Sequence, residues 1–372
     1  MKQLLSCFLS FKTALCSLLL LSAMVSNADV VSNADMVDSA DSAVFLQYHH
    51  VSENTPRSTS VTPDRLKQHL DYLDDNGFTV KSIVDAVDSI RDGRPLPDKT
   101  VVITFDDAYV SIYENAFPLL KEKGYPFTVF VAIEPVDKGY HQFLSWDQLR
   151  EMGKHGATIA NHSVTHSHMV VKHPDETRQQ WVNRNRDEIL KTEARIKEKT
   201  GQSVKLFAWP FGEANPELRQ LLASMGYVGF GQQSGVVEPL SDFTLLPRYP
   251  MAADYAEMRG FRTKVNSLPL PVKRQLPDSA MVKDDNLKPS LTLELAAGDF
   301  QKNQLKCYAS NAGEIPITWL DDEKTRFTTV TPNSLSVGRS RYNCTAPSMD
   351  GRRYYWYSHQ WLRLNSDGTA ID

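Results

Sequence analysis

Between residues 44 and 231, short apolar runs alternate with amphipathic stretches of helical period. "VFLQYHH" (44–50) reads as a strand. In "TPDRLKQHLDYLDDNGF" (62–78), Leu66, Leu70 and Leu73 fall on one helical face, with Thr62 as N-cap and Gly77 as stop. Further strands are expected over 100–105, 127–133, 157–163, 204–212 and 227–231, with helices over 114–126, 145–156, 175–201 and 215–226. "TVVITF" (100–105) has no polar alternation and reads as a strand covered on both faces. Such a series calls for a parallel sheet in an α/β fold, open or closed into a distorted (β/α) barrel. In a barrel the reactive groups stand at the C-terminal ends of strands, so the residues that follow each run are the ones to read for chemistry.

Around "NSLPLPVKRQLPDS" (266–279) prolines cluster and the alternation stops. The boundaries expected are a barrel domain over 44–265, a linker over 266–285 and a small β-sandwich-like domain over 286–372. Cys307, Trp319 and the "YNC" of 342–344 resemble the immunoglobulin pattern of Cys, Trp and Tyr-x-Cys. At the other end, "ALCSLLLLSAMV" (14–25) is too short to span a bilayer comfortably and precedes "SNA" (26–28), which offers small residues for cleavage. Residues 1–28 read as a signal peptide. The acidic repeat built on VSNAD (29–43) reads as a flexible tether. The expected destination is the periplasm or the extracellular space. Two of the four cysteines fall in the leader, and a lone remaining pair in an exported chain, Cys307 and Cys344, is expected to form a disulfide. With 23% charged residues, a net charge of −4 and no basic block, the composition is that of a soluble globular protein and excludes nucleic acid as partner.

"TFDDAY" (104–109) ends the most apolar of the strands. Two carboxylates, Asp106 and Asp107, at the tip of a buried strand are costly unless something pairs them; on their own they also fit a solvated Asx turn. "NHSVTH" (161–166) places His162 and His166 at i,i+4, so both imidazoles converge if the segment turns helically. Two imidazoles and one carboxylate make a three-ligand site with open positions, the arrangement of catalytic zinc sites. One aspartate can then face the metal while its neighbour takes a proton from water. In "FAWPFGEAN" (207–215), Pro210 and Gly212 bracket Phe211 in a tight turn, able to aim a backbone N–H at a developing oxyanion or to serve as an ordinary strand–helix loop.

In this order and spacing, "TFDDAY", "NHSVTH" and "PFG" resemble the motifs of the polysaccharide deacetylase family, the NodB-like carbohydrate esterases, over about residues 43–260. The resemblance implies that Asp106 is the general base and that Asp107, His162 and His166 hold a divalent metal ion. Zinc is expected first, and nickel, cobalt and iron suit the same ligands. It also implies an oxyanion contact from the N–H of Phe211. Two departures stand out. Many members carry a base-orienting arginine where this chain has Ala208, and a late histidine that supplies the general acid, whereas no histidine occurs here between His173 and His359.

Both departures fit one branch. "LQYHHV" (46–51), "FAWPFGE" and "LPRYPM" (246–251) resemble the poly-β-1,6-N-acetylglucosamine deacetylases, whose barrel is circularly permuted and whose first strand carries the acid. That position is His49, with His50 as its neighbour and fallback, and Arg248 is the candidate for the missing cation. The expected activity is hydrolysis of N-acetyl groups from an exported β-linked N-acetylglucosamine polymer, with acetate released and the polysaccharide-export machinery as a partner. The alternatives are a deacetylase of peptidoglycan, chitin oligomers or acetylated xylan, and a carbohydrate-binding protein with a relic site. Members of the usual two-barrel kind would carry a large second domain, and the residues that follow the barrel here are read as the small β module.

Overall fold

The computed structural model describes residues 41–310 and 312–371. The expected signal peptide, and residues 29–40 of the repeat, lie outside the described residues.

One sheet forms the frame. Its order is Val236–Val237, Ala43–Tyr48, Thr100–Phe105, Phe127–Val131, Ala157–Asn161, Leu206–Ala208 and Val228–Phe230. From Ala43–Tyr48 onward every neighbouring pair is parallel. The segment after the last strand curls the sheet back on itself: Leu246 bridges Phe230, and Tyr249–Pro250 pairs in parallel with Leu46 and Gln47 of the first strand. All six residues of Thr100–Phe105 are buried. Val101, Ile103 and Phe105 enter one apolar cluster, and Val102 enters another. The unbroken hydrophobic run follows from this two-sided burial, and such a strand sends its polar residues to its tip.

The helices begin where their caps allow. Thr62 accepts from the N–H of Arg65, and Ser145 and Thr177 each close a capping box with a glutamine. Gly201 ends the long helix Arg178–Thr200 in the left-handed conformation. Three helices have no counterpart in the sequence reading: Ile83–Arg91 with Ser82 as cap, Ile133–Asp137 and Met258–Val265. The first is nine residues long and follows its strand, Thr79–Val80, after two residues, so neither period has room to repeat.

Beyond residue 267 two sheets face each other. One has the order Leu268–Pro269, Tyr354–Arg363, Gly338–Pro347, Lys306–Ala309 and Gly313–Ile315, and the other Val272–Leu276, Ser290–Leu295, Arg326–Val330 and Ile317–Trp319. Leu291, Leu293, Phe327, Tyr342 and Trp361 fill the space between them. The segment expected as a linker therefore holds two strands, and both lie at sheet edges, where proline's missing donor costs no ladder bond. Cys307 and Cys344 form a disulfide, but they face each other on adjacent strands of one sheet. An immunoglobulin disulfide joins the two sheets, so the likeness extends to the sandwich and to Tyr342, whose hydroxyl accepts from Thr331 N and donates to the carbonyl of Pro289. Trp319 packs on its cross-strand neighbour Phe327. The sandwich rests on the barrel through Trp356 against Tyr249, 5.4 Å between ring centres, and Arg353 on Asp98 at 2.9 Å.

Candidate active site

Asp106 and Asp107 follow Phe105, and the chain turns there. Asp107 and Ala108 have φ of 69° and 60°, a conformation L-residues rarely hold, so the strand cannot continue and both carboxylates are presented at its end. Asp106 is fully buried, and Arg248 grips it with both arms of its guanidinium: Nη1 lies 2.7 Å from Oδ1 and Nη2 2.8 Å from Oδ2. Gln47 Nε2 donates to the same Oδ2 at 2.6 Å. Arg248 is itself buried, donates to Thr104 Oγ1 and to the carbonyl of Gly231, and lies over the ring of Phe130. Burial pushes the Asp106 carboxyl up, but the Arg248 charge, helped by His162, outweighs it and holds the group below the usual carboxylate range.

Asp107 faces the two histidines. Its Oδ1 is 3.2 Å from Nε2 of His162 and 3.2 Å from Nε2 of His166. The three candidate ligand atoms lie within 4.8 Å of one another. The sequence argument relied on a helical turn to bring the histidines together; the structure uses a loop. Ser163 and His166 have φ of 68° and 54°, and Glu188, from the long helix, accepts from the N–H groups of Val164 and Thr165 and holds the loop in place. His162 Nδ1 donates to the carbonyl of Ala208 at 2.8 Å, which leaves the Nε2 lone pair free to point at Asp107. Burial pushes His166 down to about 4. Burial opposes the charge on Asp107 too, yet His162 and His166 hold its carboxyl far below the usual range.

Asp107 Oδ1 and His162 Nε2 are buried without a hydrogen-bond partner. Orphaned acceptors of this kind cost free energy unless a cation or donor sits between them. With one carboxylate and two imidazoles, the donor set fits a divalent transition metal.

His49 is half-buried at the end of the first strand, directly after Tyr48. His50 stacks on Tyr109 with 3.5 Å between ring centres, and burial lowers it to about 4. Phe211 closes the far side at 4.6 Å from the His166 ring, in a tight turn at φ 58°. That turn is held from three directions. His168 stacks on Phe211 at 3.9 Å and bonds Glu213 at 2.7 Å; Arg339 of the sandwich lies over the same ring and bonds the other oxygen of Glu213 at 2.8 Å; Gln360 donates to the carbonyl of Gly212 at 3.0 Å. Gln47, Glu188, His168, Glu213, Arg339 and Gln360 are site neighbours that the sequence reading did not find. Gln47 and Glu213 stood inside the segments read for chemistry, "LQYHHV" and "FAWPFGEAN".

A curled parallel sheet that carries an Asp–His–His cluster and a buried Asp–Arg pair at its strand tips defines a class. Residues 93–230 match the family model described as polysaccharide deacetylase. Among curated proteins, the poly-β-1,6-N-acetyl-D-glucosamine N-deacetylase of Escherichia coli (strain K12) is 26% identical over 289 residues, 66% of this chain and 42% of that protein. The enzyme of the same name from Staphylococcus aureus (strain MSSA476) is 24% identical over 255 residues, 63% of this chain and 87% of its own length. This chain thus spans less than half the length of the E. coli relative. Among solved structures, the Streptococcus pyogenes deacetylase PplD in complex with acetate has the same fold, with a TM-score of 0.54 at 22% identity over 60% of this chain and 98% of that one.

Proposed function

We propose that the protein is a metal-dependent N-deacetylase of an exported β-linked N-acetylglucosamine polymer and that it releases acetate. The observation that carries this reading is the meeting of two arrangements at one strand tip: the Asp107–His162–His166 cluster and, on the adjacent residue, a carboxylate clamped by a buried arginine. The names of the E. coli and S. aureus relatives support the polymer. The Cys307–Cys344 disulfide supports an oxidising compartment outside the cytoplasm.

Asp107, His162 and His166 would hold the divalent ion. Bound there, it would supply Lewis acidity toward the acetamide carbonyl and lower the pKa of water. The residues do the rest. Asp106, kept ionised and fixed in direction by Arg248 and Gln47, receives the proton of the attacking water. The N–H of Phe211, on a turn held by the sandwich, is the donor toward the developing oxyanion. His49 returns a proton to the leaving amine. The product unit is an amino sugar, cationic at neutral pH.

The test is acetate release by the purified chain from poly-β-1,6-N-acetylglucosamine, peptidoglycan, chitin oligomers and acetylated xylan. Release from the first, loss on chelation and recovery with zinc are expected. Undiminished turnover after exhaustive chelation, or no acetate from any N-acetylated polymer, refutes the proposal.

A further inference from the structure

From Ser163 to His166, four consecutive N–H groups donate to side chains and not to the main chain. Two of the acceptors belong to the segment itself: Ser163 donates to Oδ1 of Asn161 at 3.1 Å, and His166 donates to Oγ of Ser163 at 3.0 Å. The other two N–H groups, of Val164 and Thr165, converge on one atom, Oε2 of Glu188, at 2.9 and 3.0 Å, and the Thr165 hydroxyl donates to the same oxygen at 3.2 Å. Glu188 is therefore the acceptor that reaches these N–H groups from outside the loop, and it meets two of the three residues that separate His162 from His166.

A loop of this shape needs support from its surroundings. Ser163 and His166 lie at φ of 68° and 54°, and such conformations persist where neighbouring structure imposes them. On the carbonyl side, the N–H groups of Ile133 and Glu134 donate to the carbonyls of Ser163 and Val164 at 3.3 and 3.0 Å. Ile189, the residue after Glu188, accepts from Nδ2 of Asn161 at 2.8 Å, so the long helix Arg178–Thr200 holds both the entrance of the loop and its centre. The two histidines do not depend on this hold equally. His162 is fully buried, its N–H donates to the carbonyl of Val131, and its Nδ1 donates to that of Ala208. The His166 side chain is 27% exposed, and its ring is in edge contact with those of His162 and Phe211. Loosening the centre of the loop would therefore displace His166 and leave His162 in place.

We propose that Glu188 is a positioning residue for the Asp107–His162–His166 cluster: its carboxylate fixes the centre of the loop, and so sets where His166 stands against Asp107 and His162 and how tightly the three hold a divalent ion. The inference rests on the deacetylase reading, in which the cluster is a metal site. Groups that orient metal ligands from behind change affinity by about 10–100-fold when they are removed. Glu188 acts on the backbone that carries the ligand, through hydrogen bonds to a charged acceptor, which are stronger than those between neutral groups.

Glu188→Met keeps the side chain's length and suits a helix, and it removes the acceptor. The zinc affinity of the full chain is measured by competition with a chromophoric chelator. Glu188→Met should weaken it by about 10–100-fold, and Glu188→Asp, whose carboxylate is withdrawn by one methylene, by about tenfold. Glu188→Gln keeps an acceptor oxygen and should lie closer to the wild type than Glu188→Met. Asp187→Ala, an exposed change one residue away on the same helix, should leave the affinity as it is. The second readout uses the metal-free chain labelled with ¹⁵N on histidine, with ring signals assigned by His162→Gln and His166→Gln. Glu188→Met should shift the His166 ring signals and leave those of His162 in place, a difference that a general loss of stability does not produce. Wild-type affinity in Glu188→Met or Glu188→Asp, glutamine no better than methionine, or equal shifts at both histidines overturns the proposal. If Glu188→Met does not fold, Glu188→Asp decides by the same criterion. A wild-type chain that binds no zinc removes the metal reading instead, and the His166 signals then decide whether Glu188 fixes the loop.

Discussion

Replacing Arg248 by methionine keeps much of the side chain's bulk and removes its charge from a site where both partners are fully buried. At the observed separation of 2.7 Å the pair's attraction is about 6 kcal/mol for an effective dielectric of about 20. Much of that is offset by desolvation, and breaking one side of a buried pair costs roughly 3–5 kcal/mol in practice. Gln47 is left as the one side-chain donor to Asp106 among those seen here. The pH dependence should change sign. In the wild type the Asp106 carboxyl is depressed, so its contribution to stability is complete above the unfolded aspartate pKa and is lost as pH falls through the folded value. In Arg248→Met burial loses its chief counterweight, with only Gln47 and the weaker pull of His162 left, and the folded carboxyl should rise above the unfolded one, so stability declines as pH rises between the two values. Near neutral pH the base should then be protonated, with kcat lower by about 10²–10⁴-fold and partly recovered under alkaline conditions. Arg248→Lys, with charge but no fork, should fall between. The assay is thermal unfolding and kcat from pH 5 to 10 for the wild type, Arg248→Met, Asp106→Asn and the double variant. Removal of the orphaned charge predicts a double variant more stable than Arg248→Met alone. Strict additivity, or an unchanged pH–rate profile in Arg248→Met, refutes the reasoning.

His162→Ala should abolish metal binding, measured by elemental analysis of the purified protein, while the fold persists by circular dichroism. His49→Ala should lower kcat on the acetamide by about 10²–10⁴-fold with metal content unchanged, and should cost less on activated acetate esters; if His50→Ala gives the loss instead, the neighbour is the acid. Arg339→Ala removes the ion pair with Glu213 and the cover over Phe211, so kcat should drop about tenfold, equivalent to about 1.4 kcal/mol, with KM and metal content intact and partial recovery in Arg339→Lys. Reduction of Cys307–Cys344, which closes a separation of 37 residues, should lower stability by roughly 3–4 kcal/mol in chemical denaturation.

The barrel was legible because its strands are buried on both sides and its helices carry local caps; "TVVITF" and Ser145 state their roles within a few residues. The Asp–His–His cluster was legible because Asp107, His162 and His166 are near in sequence to the strand ends that carry them. The reason given for their convergence was not: the loop conformation depends on left-handed Ser163 and His166 and on Glu188, which arrives from a helix more than twenty residues on. Arg248 could be nominated by resemblance, but its two-armed contact with Asp106 spans 142 residues and no local pattern encodes such a distance. The proline-rich stretch after 266 misled for a physical reason, since edge strands tolerate proline and so look like linkers.

The hold of the sandwich on the Phe211 turn bears on how the protein can be divided. The chain from 44 to 265 has every proposed ligand and both aspartates, and a gene trimmed there would encode the whole inventory of proposed reacting groups. It would lack Arg339 and Gln360, and with them two of the supports that fix the turn in a conformation its residues resist. A barrel produced alone would load metal normally and turn over slowly, and would pass for an inefficient enzyme. On the proposed function, the boundary of the catalytic machinery lies inside the sandwich, not between it and the barrel.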